Sequence, residues 1–260
     1  MTNLSADWKL FSSNVRFYLL HLSRSPIELT ITFLLPLFFA TVAHLIGEAG
    51  SGRLTSLEIT LGAGLMGMWT TVMYGAGGLI KEQRRLGLLE LLLAAPGRFP
   101  VTIMSMTVAV SLLGFEAMLG TVAWGYFLFD ARIEGPILPA LAVTVVLCVL
   151  AMSVVGFVVA AVFVEVRKAE SVAEAVVAPL WLLSGVLIPV SALPGPAQVL
   201  SQLLPVTFAA EALRAATHSI WDVHAIGACL ALSLLYATLG WIGVNAAARS
   251  SRSRGGMHLW

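Results

Sequence analysis

The sequence predicts an all-α polytopic membrane protein. Six transmembrane helices are accompanied by an N-terminal interfacial helix, a short cytoplasmic helix between the second and third spans, and an outer re-entrant helical hairpin before the last span. Three observations predict this. First, the 260 residues are 58% apolar and only 11% charged, whereas an average soluble domain is about half apolar and about a quarter charged. Mean hydropathy is +0.91, which excludes a disordered chain and argues strongly against a soluble domain. Second, charged residues cut the chain into uncharged runs, and about 20 apolar residues suffice to cross a bilayer. Third, the basic residues gather in alternate connections.

In chain order, residues 1–26 form an interfacial amphipathic segment, 27–248 the membrane domain and 249–260 a tail. The spans fall at about 27–47, 57–80, 100–128, 136–164, 171–190 and 223–248. Five of them read as single helices with spare length for tilt. The run 175–210 is too long for one span and too short for two. It holds Pro179, Pro189, Pro194, Pro196 and Pro205 with Gly185 and Gly195, a series no straight helix carries. One span to about Pro189 followed by a re-entrant segment over 193–217 accommodates it, provided protein or water covers the broken backbone. The first apolar run spans a full bilayer with no small-residue cleavage site after it, so it is expected to remain in place rather than act as a signal peptide.

Twelve of the 15 basic residues lie in segments 1–26, 81–100, 165–170 and 249–260; Arg53, Arg132 and Arg214 lie opposite. The positive-inside rule puts both termini in the cytoplasm, and an even number of spans requires them to share a side.

Within 6–24, Trp8, Phe11, Val15, Tyr18 or Leu19, and Leu22 recur at helical spacing while Lys9 and Arg16 fill other positions. Such a helix is expected in the headgroup layer, aromatics in the acyl boundary. Residues 81–96 read KEQRRLGLLELLLAAP. The most charged stretch of the chain runs straight into a leucine-rich one that Pro96 stops. An amphipathic helix over 81–95 is expected, with leucines toward the membrane or a partner groove and Glu82, Arg84, Arg85 and Glu90 toward water. Glu211 and Arg214 stand i, i+3 on one helix face and can pair.

The net charge of +1 gives no global reason to expect nucleic acid as a partner. Cys148 and Cys229 lie inside apolar runs and read as small core residues. Glu116 is the ionisable residue that stands out inside a span, about 24 Å from the start of the third helix. Charge at that depth usually faces a cavity or a partner: Glu116 either lines a transport path, favouring a cationic or hydroxyl-bearing substrate, or is protonated or hydrogen-bonded to a neighbouring helix in a packing role. Glu28 and His44 read as interfacial. Trp69 and Trp181 fall near the middle of their spans, away from aromatic belts, and either pack between helices or line an apolar path. Gly62, Gly64 and Gly67, with Gly75, Gly77 and Gly78, let the second span approach another backbone closely.

Two motifs carry a family resemblance. The first is Glu82, Arg84, Gly87, Leu89-Glu90-Leu91 and Pro96, with Leu88 where a threonine is often found. The second is Leu204-Pro205-Val206-Thr207-Phe208 followed by Glu211-Ala212-Leu213-Arg214. Together they resemble the permeases of the ABC-2 type transporter family, membrane subunits of drug, polysaccharide and Nod-factor export. The resemblance implies a half-transporter in which two permeases, identical or homologous, pair above two copies of a cytoplasmic ATP-binding cassette subunit. It implies that 81–95 is a coupling helix, that 1–26 holds the family's elbow helix, that the loop with Glu165, Arg167 and Lys168 assists coupling, and that Pro205, Thr207, Glu211 and Arg214 belong to the outer re-entrant element. Family cargoes range from amphipathic drugs to glycolipids and polysaccharides; the apolar spans with few buried charges fit an amphipathic or lipophilic cargo entering from the bilayer.

No ATP chemistry is expected of this chain itself. A phosphate-cradling loop needs Gly-Lys followed by Ser or Thr, and the three lysines, Lys9, Lys81 and Lys168, follow Trp8, Ile80 and Arg167. ATP and Mg are therefore expected on the partner, and no cofactor on this chain. A gradient-driven secondary transporter is the main rival, but the two halves show no internal repeat of the kind many such folds carry. A membrane-embedded enzyme would need convergent catalytic side chains, and the five histidines are scattered over loops and span ends.

Overall fold

The computed structural model describes residues 4–49, 55–95, 98–165, 183–186, 190 and 193–253. These are helical throughout, with no strand among them. The helices are α1 (Leu4–Leu22), α2 (Pro26–Ala49), α3 (Ser56–Arg85), α4 (Leu88–Ala94), α5 (Phe99–Phe129), α6 (Leu138–Glu165), α7 (Gly195–Ser201), α8 (Pro205–Thr217) and α9 (Val223–Ser253). A single 3₁₀ turn, Gly135–Ile137, leads into α6. Most of the span expected at 171–190, including Trp181, lies outside the described residues.

Local chemistry explains several boundaries. A capping box starts α3: the Glu58 amide donates to the Thr55 hydroxyl at 3.2 Å and the Thr55 amide to the Glu58 carboxylate at 2.7 Å, satisfying two orphan donors at once. Prolines occupy the first turn of α5, α7 and α8, where a missing N–H is harmless. Asp130 ends α5 in the left-handed conformation at φ 53°, which short polar side chains tolerate best after glycine.

The centre of the bundle is α3. It runs antiparallel to α2 and α5 and parallel to α6, and a glycine faces each neighbour. A Cβ on Gly67 would stand 2.3 Å from Pro36 of α2, one on Gly75 2.6 Å from Val110 of α5, and one on Gly77 2.7 Å from Phe163 of α6. These contacts require a hydrogen where other residues carry a methyl. The same glycines dilute the hydropathy of α3, so a long buried helix is not the most apolar one. Phe99–Phe129, Gly135–Glu165 and Val223–Ser250 are each long and apolar enough to cross a membrane, and Thr32–Ile46 of α2 is a shorter apolar stretch. The flanks of the bundle are formed by α9, which packs along α6, and by α8, wedged between α6 and α9.

Three expectations are corrected. The helix expected over 81–95 is two elements: α3 continues to Arg85, Gly87 turns the chain at φ 68°, and α4 covers only Leu88–Ala94. A left-handed residue cannot continue an α-helix, and glycine adopts that conformation without penalty. The apolar stripe of α1 does not all face a lipid layer either. Tyr18 and Leu22 are buried, with Val15 and Leu19 packed against the core where α1 crosses α5; Trp8 and Phe17 remain exposed. Asp7 holds Arg98 at 3.0 Å and ties that crossing. Finally, reading His44 as interfacial left out its packing. It is buried, with Nε2 2.9 Å from the Thr60 hydroxyl and its ring stacked 4.0 Å from Phe129, so it joins α2, α3 and α5.

Candidate functional site

The ends of the bundle carry the two sequence motifs. At one end Gly87 sets α4 across the end of α3. Leu89 and Leu93, one turn apart, are buried and anchor it; Leu91 is 65% exposed and Leu88 and Glu90 also face outward. Glu82 and Arg85 form a bidentate pair, with Nε and a terminal nitrogen of the guanidinium donating at 2.8 and 2.7 Å. Hydrogen bonding to that guanidinium holds the Glu82 carboxyl below the usual carboxylate range.

Arg84 does not face water as expected. One of its terminal nitrogens donates to the carbonyls of Phe163 and Val164 at 3.0 and 2.9 Å. These lie at the described end of α6, which runs to Glu165. A cation there also complements the helix dipole. Arg84 thus fastens α3 to α6 at the base of α4. Near it, the Ser250 hydroxyl of α9 donates to Glu165 at 3.3 Å. Pro96, Arg167 and Lys168 lie outside the described residues.

An open groove of about 640 Å³ separates α1 from the α3–α4 turn. Leu10, Asn14, Phe17 and Tyr18 line one wall and Glu82, Leu86 and Leu91 the other. Burial pushes the Tyr18 phenol up to about 12, so it stays neutral and presents an apolar ring to this groove.

At the other end, Pro205 opens α8 and Thr207 is buried, its hydroxyl without a partner among the described residues. Arg214 feels the charge of Glu211, as the spacing suggested, but its hydrogen bonds go elsewhere. Its terminal nitrogen donates to the carbonyls of Gly185 and Val186, the latter at 3.2 Å. Gly185 is left-handed at φ 69°. His218 meets Glu58 at 3.2 Å, tying α8 to the start of α3. The cavity between them is only about 10 Å³, lined by Glu58, Leu65, Val186, Leu213 and Arg214 among others.

Between the ends, Trp69 is 1% exposed and packs in the core. Glu116 is exposed on the flank of α5 and makes no hydrogen bond to a neighbouring helix among the described residues. Cys148 and Cys229 are buried. Among the described residues no three His, Cys, Asp or Glu side chains are placed to hold a metal ion. Sequence reasoning missed the acceptors of Arg84 and the Asp7–Arg98 and His44–Thr60 ties. Each joins residues far apart in the chain, and carbonyl acceptors carry no side-chain signature.

The family model of the ABC-2 type transporter matches residues 9–217, from α1 to the last residue of α8. No curated protein matches the chain in sequence. The match spans most of the length: the chain belongs to the ABC-2 type transporter family, whose members are membrane-embedded transport subunits that work with an ATP-binding cassette partner.

Proposed function

We propose that this ABC-2 chain is the permease subunit of an exporter that moves an amphipathic or lipophilic substrate, a drug, lipid or glycolipid, out of the cytoplasm or inner leaflet. Six spans place both termini in the cytoplasm, α1 in the headgroup layer as an elbow, and the α7–α8 pair as a re-entrant hairpin on the outer side. Two copies of an ATP-binding cassette subunit carry ATP and Mg and dock at α4; a second permease, identical or homologous, completes the transporter.

The observation that carries this reading is the arrangement around α4. Exposed Leu88 and Leu91 stand beside an open groove, while Arg84, three residues before Gly87, grips the end of α6. A partner that seats α4 and moves as a rigid body pulls on both α3 and α6. Such a push shifts the inward-open and outward-open populations only in so far as the nucleotide-bound partner prefers one of them. Glu82, Arg85 and Glu90 supply the polar rim of the docking surface and Leu89 its internal anchor.

Capturing the tagged chain from native membranes in mild detergent and identifying what co-purifies tests the partnership. A stoichiometric subunit with a Gly-x-x-x-x-Gly-Lys-Ser/Thr loop is expected; repeated recovery of the intact chain alone counts against it. In the reconstituted complex, Glu82→Arg or Glu90→Arg is expected to leave ATP hydrolysis running while transport falls. Unchanged transport removes α4 and its approach as the coupling element.

A further inference from the structure

We infer that the groove between α1 and the α3–α4 turn holds one lipid with a zwitterionic headgroup ending in a primary ammonium, as in phosphatidylethanolamine. The groove, of about 640 Å³, is within the size range of small-molecule sites. Gln83 lines it and is only 8% exposed, yet its side-chain amide makes no hydrogen bond with the described residues. Neither amide atom is sealed off, so the exposure that Gln83 keeps includes its amide, and the groove is the space it lines. An amide brings two donors and a carbonyl acceptor, and leaving them unmet in apolar surroundings is costly. Water can meet them, but it leaves Phe17, Leu86 and Leu91, exposed along the same groove, wet. One amphiphile with a hydrogen-bonding middle and an apolar tail satisfies both.

Charge decides which amphiphile. No described lysine or arginine lines the groove; Glu82 brings a carboxylate to it, and His21 an imidazole from α1. Just outside the lining, Arg85 gives one N–H to each Glu82 oxygen, at 2.7 and 2.8 Å. That leaves lone pairs on the carboxylate and three N–H groups on the guanidinium, which is largely exposed. The pair therefore offers an anion and a cation side by side. A headgroup with ammonium next to phosphate is its complement: the ammonium donates to Glu82 and the phosphate accepts from Arg85, in charge-assisted hydrogen bonds. A choline headgroup has no N–H to donate, and a purely anionic one sets its charge against Glu82. Here α3 ends and α1 crosses the start of α5, at the level of the interfacial layer, where the glycerol esters of a lipid sit. An ester carbonyl accepts from Gln83, and an acyl chain covers Phe17 and Leu91. The lipid thus lies between α1 and the helix proposed to seat the cassette partner. Its depth in the bilayer rests on the permease reading; the groove and its charge pattern do not.

The full chain is reconstituted without any ATPase in nanodiscs of equal parts phosphatidylethanolamine, phosphatidylcholine and phosphatidylglycerol. It is then released into mild detergent, and the lipids it retains are counted by headgroup in native mass spectrometry. One phosphatidylethanolamine per chain is expected, retained about tenfold over either competitor, the worth of one charge-assisted hydrogen bond. Glu82→Gln should erase the preference over phosphatidylcholine, and Gln83→Leu should lower retention about fivefold, the worth of a neutral hydrogen bond. Ser13→Trp fills the groove from α1 and leaves Glu82 and Gln83 in place, so it should lower retention as much. Ser12→Trp, also on the exposed side of α1 but outside the lining, should not. No retained lipid, or equal retention of all three, overturns the proposal. So does a preference for phosphatidylglycerol, which would give the lipid contact to the exposed Lys9 and Arg16 of α1. If Gln83→Leu is not monodisperse, unchanged retention in Ser13→Trp overturns it instead. A cassette partner that displaces the lipid and cross-links to Ser13→Cys would itself fill the groove, and would also overturn it. Because the discs hold no ATPase, a chain without any cassette partner still gives the lipid result, and the two readings fail separately.

Discussion

The two ends of the bundle use the same device in opposite surroundings. At each, one guanidinium nitrogen of an arginine bridges two successive carbonyls where a helix or turn ends: Arg84 on Phe163 and Val164, Arg214 on Gly185 and Val186. Around Arg214 the packing is closed, with a cavity of about 10 Å³ and the Glu58–His218 tie beside it. At the Arg84 end, Glu82, Leu86 and Leu91 line an open groove of about 640 Å³, and leucines stand exposed on a seven-residue helix. The difference separates two uses of one interaction. A clamp with no room around it suits holding a fold together; a clamp beside an open amphipathic surface is what the proposed coupling asks of Arg84.

The largest effect is expected at the closed end. Arg214→Ala strands two buried carbonyls and should destabilise the chain by about 3 kcal/mol, read as loss of a monodisperse peak on size-exclusion chromatography after mild heating. Arg214→Lys should recover part of this, because an ammonium has donors but not the planar fork. If Arg214→Ala is as stable as wild type, the closed end is not a clamp. At the core between the ends, Gly67→Leu forces a side chain into Pro36 and should cost about 1–3 kcal/mol, seen as a lowered midpoint in thermal scattering; the same change at exposed Gly78, which meets nothing within 4 Å, should cost far less.

At the open end Arg84→Ala should cost only about 1 kcal/mol of stability, yet transported substrate per ATP hydrolysed should fall severalfold in the reconstituted complex. Equal losses of hydrolysis and transport would make Arg84 a structural residue like Arg214 and erase the contrast. The smallest effect concerns pH. The folded-state pKa of Glu82 is depressed by Arg85, so whatever the pair contributes is present above the ordinary carboxylate range and is lost as pH falls through the depressed value. Docking of the cassette partner, measured by co-purification, should therefore not change between pH 6 and 8 on account of this pair. A wild-type titration in that window that Glu82→Gln abolishes would contradict it.

Much of the fold is legible in the residues. Uncharged runs predict α2, α5, α6 and α9 to within a few residues, since lipid demands length and apolarity and little else. The described residues of the motifs at 82–96 and 204–214 lie at the two ends of the bundle. What the pattern misleads on is orientation. Residues 81–95 look like one amphipathic helix until Gly87 divides them, because nothing in a 3.6-residue period registers a single left-handed turn. Arg84 looks like a solvated charge of that helix, and Arg214 looks like the partner of Glu211 three residues away. Both instead reach main-chain oxygens from distant segments.

The sequence by itself determined that the chain is helical, that it is built for a membrane, and which family it joins. Those properties depend on composition, on period and on local motifs, all of which a linear chain carries. Only the tertiary structure decided which glycine of α3 meets which neighbour, which carbonyls each arginine holds, and that Glu116 lies exposed on the flank of α5. Each of these is a relation between surfaces brought together by packing, and such relations exist only once the helices have taken their places.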